Sequence, residues 1–179
     1  MRSDERQELI DAIAGQAQAR ERLIERHAPA VYGLVSRMLV GRDPSAIDDV
    51  AQDSLLRTLT ALHRFDPDGP AKVSSWMLTI ATRRCIDELR RRPHVALDFD
   101  PPAEERLERS VENRQRYRQV ARALADLPDD QRAVLVLRVY FDEDTESIAK
   151  TLGIAKGTVK SRLSRARESL RQSLDEVER

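Results

Sequence analysis

The sequence predicts an all-α protein of two small helical domains joined by an acidic connector. Three observations carry this. Aromatic residues make up only 4% of the 179-residue chain, glycine occurs 6 times and charged residues reach 35%, and the long stretches between breakers are dominated by Leu, Ala, Arg, Glu and Gln, which favour helix over sheet. Apolar residues recur at helical spacing rather than alternating. Between the two helical halves lies a stretch rich in proline and acid, with too few apolar side chains to bury.

The elements follow in order. Leu23, Ile24, His27, Val31, Leu34, Val35 and Met38 form a helical stripe that begins before Pro29 and ends near Gly41, so a helix start or kink is expected around the proline. Asp43-Pro44-Ser45 is a break. Ser45 is expected to cap a helix carrying Ile47, Val50, Ala51, Leu55, Leu59 and Leu62 inward, with Asp48 and Asp49 in the first turn to suit the helix dipole. Its other side shows Asp49, Gln52, Asp53 and Leu56. Phe65-Asp66-Pro67-Asp68-Gly69-Pro70 forms a loop, after which Ser74 or Ser75 can cap a helix through Trp76, Met77, Ile80, Ala81, Ile86 and Leu89. Pro93 stops that helix. Trp76, Arg83 and Arg90 stand seven residues apart in turn and fall nearly on one stripe. An aromatic beside cations suits a single strand of nucleic acid, and a tryptophan at a helix start equally suits core packing.

Residues 93–110, with Pro101-Pro102 and many acids, read as a flexible or extended connector between a first domain over 1–92 and a second over 111–179. Helical patterns run from Val111 to Ala125 and, just after Pro128, from Asp129 to Tyr140. From Thr145 to Leu152, Ile148, Ala149 and Leu152 share one side, and Gly153 ends the helix. A basic helix follows at once. On it Val159, Leu163, Ala166 and Leu170 turn inward, while Ser161, Ser164 and Arg165 centre the opposite face, flanked by Lys160 and Arg162. A short turn between a helix and a basic amphipathic helix is the pattern of a helix-turn-helix. Cations neutralise phosphates and read guanine edges, hydroxyls bond both, and the small Gly157 lets the helix start approach a groove closely. A solvated surface helix would carry the same charges without that role.

The net charge of zero fits a nucleic-acid binder only once its distribution is followed. Arg83, Arg84, Arg90, Arg91 and Arg92 cluster in mid-chain and Lys156 to Arg171 form a second basic block, with Asp98, Asp100, Glu104, Glu105, Glu108 and Glu112 between them. No apolar run is long enough to cross a membrane, and Met1-Arg2-Ser3-Asp4-Glu5 lacks the apolar core of a secretory signal, so a cytosolic protein without membrane insertion is expected. The single cysteine, Cys85, excludes an internal disulfide and reads as a small buried hydrophobe rather than a nucleophile. His27, His63 and His94 lack metal-ligand spacing and no glycine-rich phosphate loop occurs, so neither an enzyme nor a cofactor or metal site is expected.

With both halves laid out, the chain resembles the extracytoplasmic-function group of bacterial sigma factors, the small initiation subunits of RNA polymerase. The first half resembles sigma region 2 through Asp48-Asp49-Val50-Ala51-Gln52-Asp53-Ser54-Leu55-Leu56-Arg57, Phe65-Asp66, Ser75-Trp76-Met77, Ile80-Ala81 and Ile86-Asp87-Glu88-Leu89-Arg90-Arg91-Arg92. The second half resembles region 4 through Leu127-Pro128, Gln131-Arg132, Ile148-Ala149, Leu152-Gly153 and Gly157-Thr158-Val159-Lys160-Ser161-Arg162-Leu163-Ser164-Arg165-Ala166.

The resemblance implies partners: core RNA polymerase through the clamp helices of its largest subunit and its flap, promoter DNA, and a separate anti-sigma protein. It implies that Asp49, Gln52, Asp53 and Leu56 dock on the clamp helices, acids pairing with arginines and Leu56 anchoring. It implies that Trp76, Arg83, Arg84 and Arg90 hold the opened strand of the −10 element while Asp66 to Val73 shape a pocket for a flipped base. Lys156, Thr158, Lys160, Ser161, Arg162 and Arg165 would lie nearest the −35 element in the major groove. Two departures stand out. Thr82-Arg83 replaces the arginine-asparagine pair common in the family, so the base preference does not carry over. Phe141-Asp142-Glu143-Asp144 replaces the usual glycine and leucine between two helices. The acidic connector, by resemblance, runs near the RNA exit path, and a solvated linker accounts for its composition equally well. An autonomous helix-turn-helix regulator, dimeric and binding duplex operators by itself, is the alternative reading.

Overall fold

The computed structural model describes residues 3–91 and 111–177. Among these the chain forms eight α-helices and no strand: α1 (Ser3–Ile13), α2 (Ala17–Met38), α3 (Pro44–Ala61), α4 (Val73–Arg91), α5 (Val111–Ala125), α6 (Asp129–Tyr140), α7 (Thr145–Leu152) and α8 (Lys156–Val177). The expected connector at 93–110 lies outside the described residues. The chain also begins its helices earlier than Leu23, because α1 buries Leu9 and Ala12 against Ala19 and Leu23 of α2.

Local chemistry explains where the elements start. Pro29 does not break α2, which runs unbroken through it; Glu25, whose carbonyl the proline deprives of a partner, and Pro29 itself are both exposed, so water can satisfy the loss. The cap of α3 is Asp43 rather than Ser45. Its Oδ1 accepts from the Ser45 backbone N–H and hydroxyl, both at 2.8 Å, and Pro44 takes the first helical position, where its missing N–H costs nothing. Likewise α4 starts at Val73, ahead of both candidate serines.

Between α6 and α7, Asp142 adopts φ 49°, the left-handed conformation a glycine takes without strain. That accounts for an aspartate standing where the family pattern has glycine: aspartate is among the few residues that tolerate this backbone. The segment is secured by Arg138, whose Nη1 donates to the Glu143 carbonyl at 3.0 Å, and by Asp144, which caps α7 by accepting from the Ser147 N–H at 2.7 Å. Glu143 accepts from the Ser147 hydroxyl.

One apolar core spans both halves. Val31, Leu34, Val35 and Met38 of α2 and Met77, Leu78, Ala81 and Cys85 of α4 pack in the same cluster as Ala133, Val134, Val136 and Leu137 of α6 and Ile148 of α7. Every residue of α6 from Arg132 to Leu137 is buried. A helix apolar all round must be covered all round, and α6 achieves this by lying between α2 on one side and α5, α7 and α8 on the others. Val40, just past α2, inserts among Ala121, Leu124, Leu127, Leu135 and Ala166.

At the centre of the second half sits a fully buried arginine. The Nη1 of Arg132 donates to the carbonyls of Ala125 (3.1 Å), Leu124 and Leu127 (both 3.4 Å), and its Nη2 pairs with Asp129. These carbonyls belong to the end of α5 and the turn after it, where a helix runs out of its own amide donors; that of Leu124 also accepts from the Leu127 N–H at 3.3 Å. Burial opposes the Arg132 charge and pulls its pKa down, while the Asp129 carboxylate supports it.

Candidate functional site

On α3, Asp49, Gln52 and Leu56 recur at helical spacing on the outer face and are exposed, Leu56 by 64%. An isolated leucine this exposed gains nothing from the fold. Asp53, on the flank of that face, is differently employed: it accepts from the Arg57 Nε at 2.9 Å and from Arg84 of α4. Partial burial pushes its carboxyl up, but the hydrogen bonds from Arg57 and Arg84 outweigh this and hold it below the ordinary carboxylate range. Arg84 is only 13% exposed and also reaches Glu88 at 3.5 Å. Two residues assigned by resemblance to different surfaces thus meet each other, and their pairing fastens α3 to α4.

The α4 stripe divides as well. Arg83 and Arg90 are exposed. Trp76 is half-buried, its ring 5.2 Å from Phe65 at a 50° tilt, so it clasps the two ends of the loop at 66–72 while part of its face remains open. Within the loop, the Gly69 N–H donates to the Asp66 carbonyl at 3.2 Å and the Asp68 N–H to the Asp66 carboxylate at 3.0 Å. Arg6 of α1 pairs with Asp68. The loop borders a cleft of about 380 Å³, whose other walls include Leu9, Leu23 and His27. Burial, reinforced by the Arg26 charge, lowers the pKa of His27, so at neutral pH the ring presents a neutral donor and acceptor to the cleft. An apolar floor with a few polar groups is the setting that holds a planar base.

The helix-turn-helix forms as the spacing predicts. Gly153 takes φ 66°, which the turn requires, and the Ile154 N–H closes it on the Ala149 carbonyl at 3.0 Å. On α8, Val159 and Ala166 are buried while Lys156, Lys160, Ser161, Ser164 and Arg165 are exposed. Arg162 is drawn partly inward by Asp130, 2.9 Å away, Thr158 is half-buried, and the Ser161 hydroxyl donates to the Thr158 carbonyl at 3.1 Å. Lys156 pairs with Glu146 of α7 at 3.0 Å, an exposed and easily exchanged contact. A Cβ added at Gly157 meets no atom within 4 Å, so nothing inside the fold asks for glycine there.

Comparison with known proteins decides the family. Residues 23–94 match Sigma-70 region 2 and residues 117–170 match Sigma-70, region 4. The ECF RNA polymerase sigma factor SigM of Mycobacterium tuberculosis is 37% identical over 177 residues, covering 93% of this chain and 83% of that protein. The ECF RNA polymerase sigma factor RpoE of Cereibacter sphaeroides is 34% identical over 155 residues, covering 85% and 84%. The chain belongs to the ECF sigma factors. Among solved structures, CnrH in complex with the cytosolic domain of CnrY is 27% identical, with a TM-score of 0.67 and coverage of 96% of this chain and 97% of that one. The fold is also that of the sigma factor RpoE in complex with the anti-sigma factor NepR from Bartonella quintana, at a TM-score of 0.71, 22% identity, and coverage of 87% and 96%.

In this sigma factor, α1 to α4 therefore contain the region 2 match and α5 to α8 the region 4 match. Sequence reasoning left out the acids that engage its cations: Glu88 for Arg84, Asp130 for Arg162 and Glu146 for Lys156. Glu88 lies four residues from Arg84 and was legible as a helical pair; Asp130 lies on another helix and was not. Cys85 is fully buried, and burial pushes its thiol up to about 12, which removes it as a nucleophile. No described helix is long and apolar enough to cross a membrane.

Proposed function

We propose that this ECF sigma factor brings core RNA polymerase to its promoters in the cytoplasm through three separate surfaces. Asp49, Gln52 and Leu56 on α3 dock on the clamp helices of the largest polymerase subunit, with Asp53 steadying the face through Arg84. Arg83, Arg90 and the open part of Trp76 hold the displaced strand of the −10 element, and the cleft beside the loop at 66–72 receives a flipped base. Lys156, Lys160, Ser161 and Arg165 on α8 enter the major groove of the −35 element. The observation that carries this reading is that one chain presents an isolated exposed leucine on an acidic face and, on a different helix, a row of exposed cations and hydroxyls.

An anti-sigma protein is a further partner in this reading. CnrH and the Bartonella RpoE are each seen with a second protein, and the exposed Leu56 face offers such a protein an anchor that competes with polymerase.

Arg165 gives the reading a test. It is exposed and, among the described residues, no ion pair holds it, so Arg165→Ala should leave the helix intact. Holoenzyme carrying it is expected to lose about 1–3 kcal/mol of discrimination at one −35 base pair, measured by competition binding across single-base promoter variants. A uniform loss at every position would instead assign Arg165 to a phosphate, and no loss would remove it from the interface.

A further inference from the structure

The cleft beside the loop at 66–72 is built from more of the chain than the loop itself: Leu9 of α1 and Leu23 and His27 of α2 face Phe65 and Pro70 across about 380 Å³. The α1 share lies outside the family match, which begins at residue 23, whereas α1 ends at Ile13. Arg6 of the same helix pairs with Asp68 and so fastens the loop to that wall.

Within the wall, His27 has hydrogen bonds left to make. Its ring is half-buried, and among the described residues no hydrogen bond engages either ring nitrogen. Its neighbours are already engaged: the Arg26 Nη2 pairs with Glu8 at 3.1 Å. His63, by contrast, has its Nδ1 hydrogen-bonded to the Thr60 carbonyl at 2.9 Å. Burial, and after it the Arg26 charge, keep His27 neutral against the opposing pull of Glu8 and Glu5, so one nitrogen donates and the other accepts. A polar ring that gives up water without gaining a partner is not explained by the fold.

Phe65 joins this cleft to the strand surface. It lines the cleft and also packs on Trp76, the first residue of the α4 row that continues to Arg83 and Arg90. A base turned out of a strand held along that row has the cleft beside it. The apolar walls at Leu9, Leu23 and Phe65 suit the face of any base alike, so discrimination falls to the polar atoms among them.

We propose that His27 is a base-reading residue of −10 recognition, its ring nitrogens hydrogen-bonding the edge of the flipped base. The wall from α1 and α2, and not the loop alone, then sets which base is accepted. A site that hydrogen-bonds one base rejects another whose donors and acceptors fall elsewhere, because its own groups are left unmet. This inference rests on the assignment of the cleft to a flipped base.

His27→Phe keeps a planar ring of similar size and removes both nitrogens. Holoenzymes carrying wild type or variant are compared for binding to single-stranded oligonucleotides of the −10 region, with each position carrying each of the four bases in turn, by competition fluorescence anisotropy. The variant should lose about tenfold of the spread between best and worst base at one position and keep the spread at the others. At that position, an apolar shape analogue of the preferred base should weaken wild type by a similar factor and the variant hardly at all, since the two changes remove the same contact. An unchanged spread in a folded variant, or a loss shared evenly by all positions, overturns the role of His27 and leaves the cleft assignment standing. If His27→Phe does not fold, His27→Gln decides: its amide places donor and acceptor differently, so the ranking of bases must change at one position only. A wild-type holoenzyme with no base preference at any −10 position overturns the cleft assignment beneath the proposal.

Discussion

Leu56→Asp should give a chain that folds as well as the wild type and no longer joins core RNA polymerase. Leu56 is 64% exposed, so placing a carboxylate there buries no charge and opens no cavity, and the expected change in stability is within about 0.5 kcal/mol. At a docked interface the same substitution removes an apolar anchor from a desolvated centre and introduces an unpaired charge, which typically costs about 2 kcal/mol or more, a loss of roughly thirtyfold or greater in affinity. The contrast between unchanged thermal melting and lost co-elution on a sizing column is what separates a docking residue from a structural one. Asp53 cannot make this distinction cleanly. Its carboxylate already serves Arg57 and Arg84 within the chain, so replacing it disturbs the α3–α4 tie together with any contact to a partner.

The largest stability effect is expected at Arg132→Ala. The side chain is fully buried, and its removal leaves Asp129 and the carbonyls of Ala125 and Leu127 without the donor it supplies at the turn between α5 and α6. Breaking a buried charge network in this way costs about 3–5 kcal/mol, and for a chain of this size each kcal/mol lowers the melting temperature by roughly 2–4 °C. The fall should therefore be about 10 °C, read by circular dichroism. Because α6 is packed against both halves, the loss should appear in the whole cooperative transition rather than in region 4 alone. A melting temperature within 2 °C or so of wild type would mean that the carbonyls find water instead, and that the guanidinium is not what holds the turn.

Much of the fold was legible because helical punctuation is local. Gly153, the αL residue that ends α7, and the inward set Val159 and Ala166 on α8 were read from spacing alone, and the structure places them so. Ser45 as the cap of α3 failed for an equally local reason: Asp43 followed by Pro44 is a better start, with an acceptor and a preset φ in adjacent positions. Pro29 does not start a helix, because the cost of an interior proline depends on whether water reaches the freed carbonyl, which sequence does not state. The packing of the halves was not legible. Its signal was the unbroken apolar run from Ala133 to Leu137, which implies cover on all sides of α6 but does not say that α2 supplies part of it.

The candidate surfaces divide along the same line. Exposure of Gln52, Leu56, Lys160 and Arg165 follows from helical period, which the sequence displays. The internal pairing of Arg84 with Asp53 and of Arg162 with Asp130 joins residues on different helices, and only the assembled fold brings them together.

The central claim is that this chain confers promoter opening on RNA polymerase that cannot open promoters alone. Single-round transcription from genomic fragments with core RNA polymerase, with and without the purified chain, tests it most directly. Specific transcripts that appear only with the chain, and vanish with Leu56→Asp, are the result this account predicts. A chain that leaves core polymerase silent, yet binds duplex DNA tightly as a dimer, would contradict it.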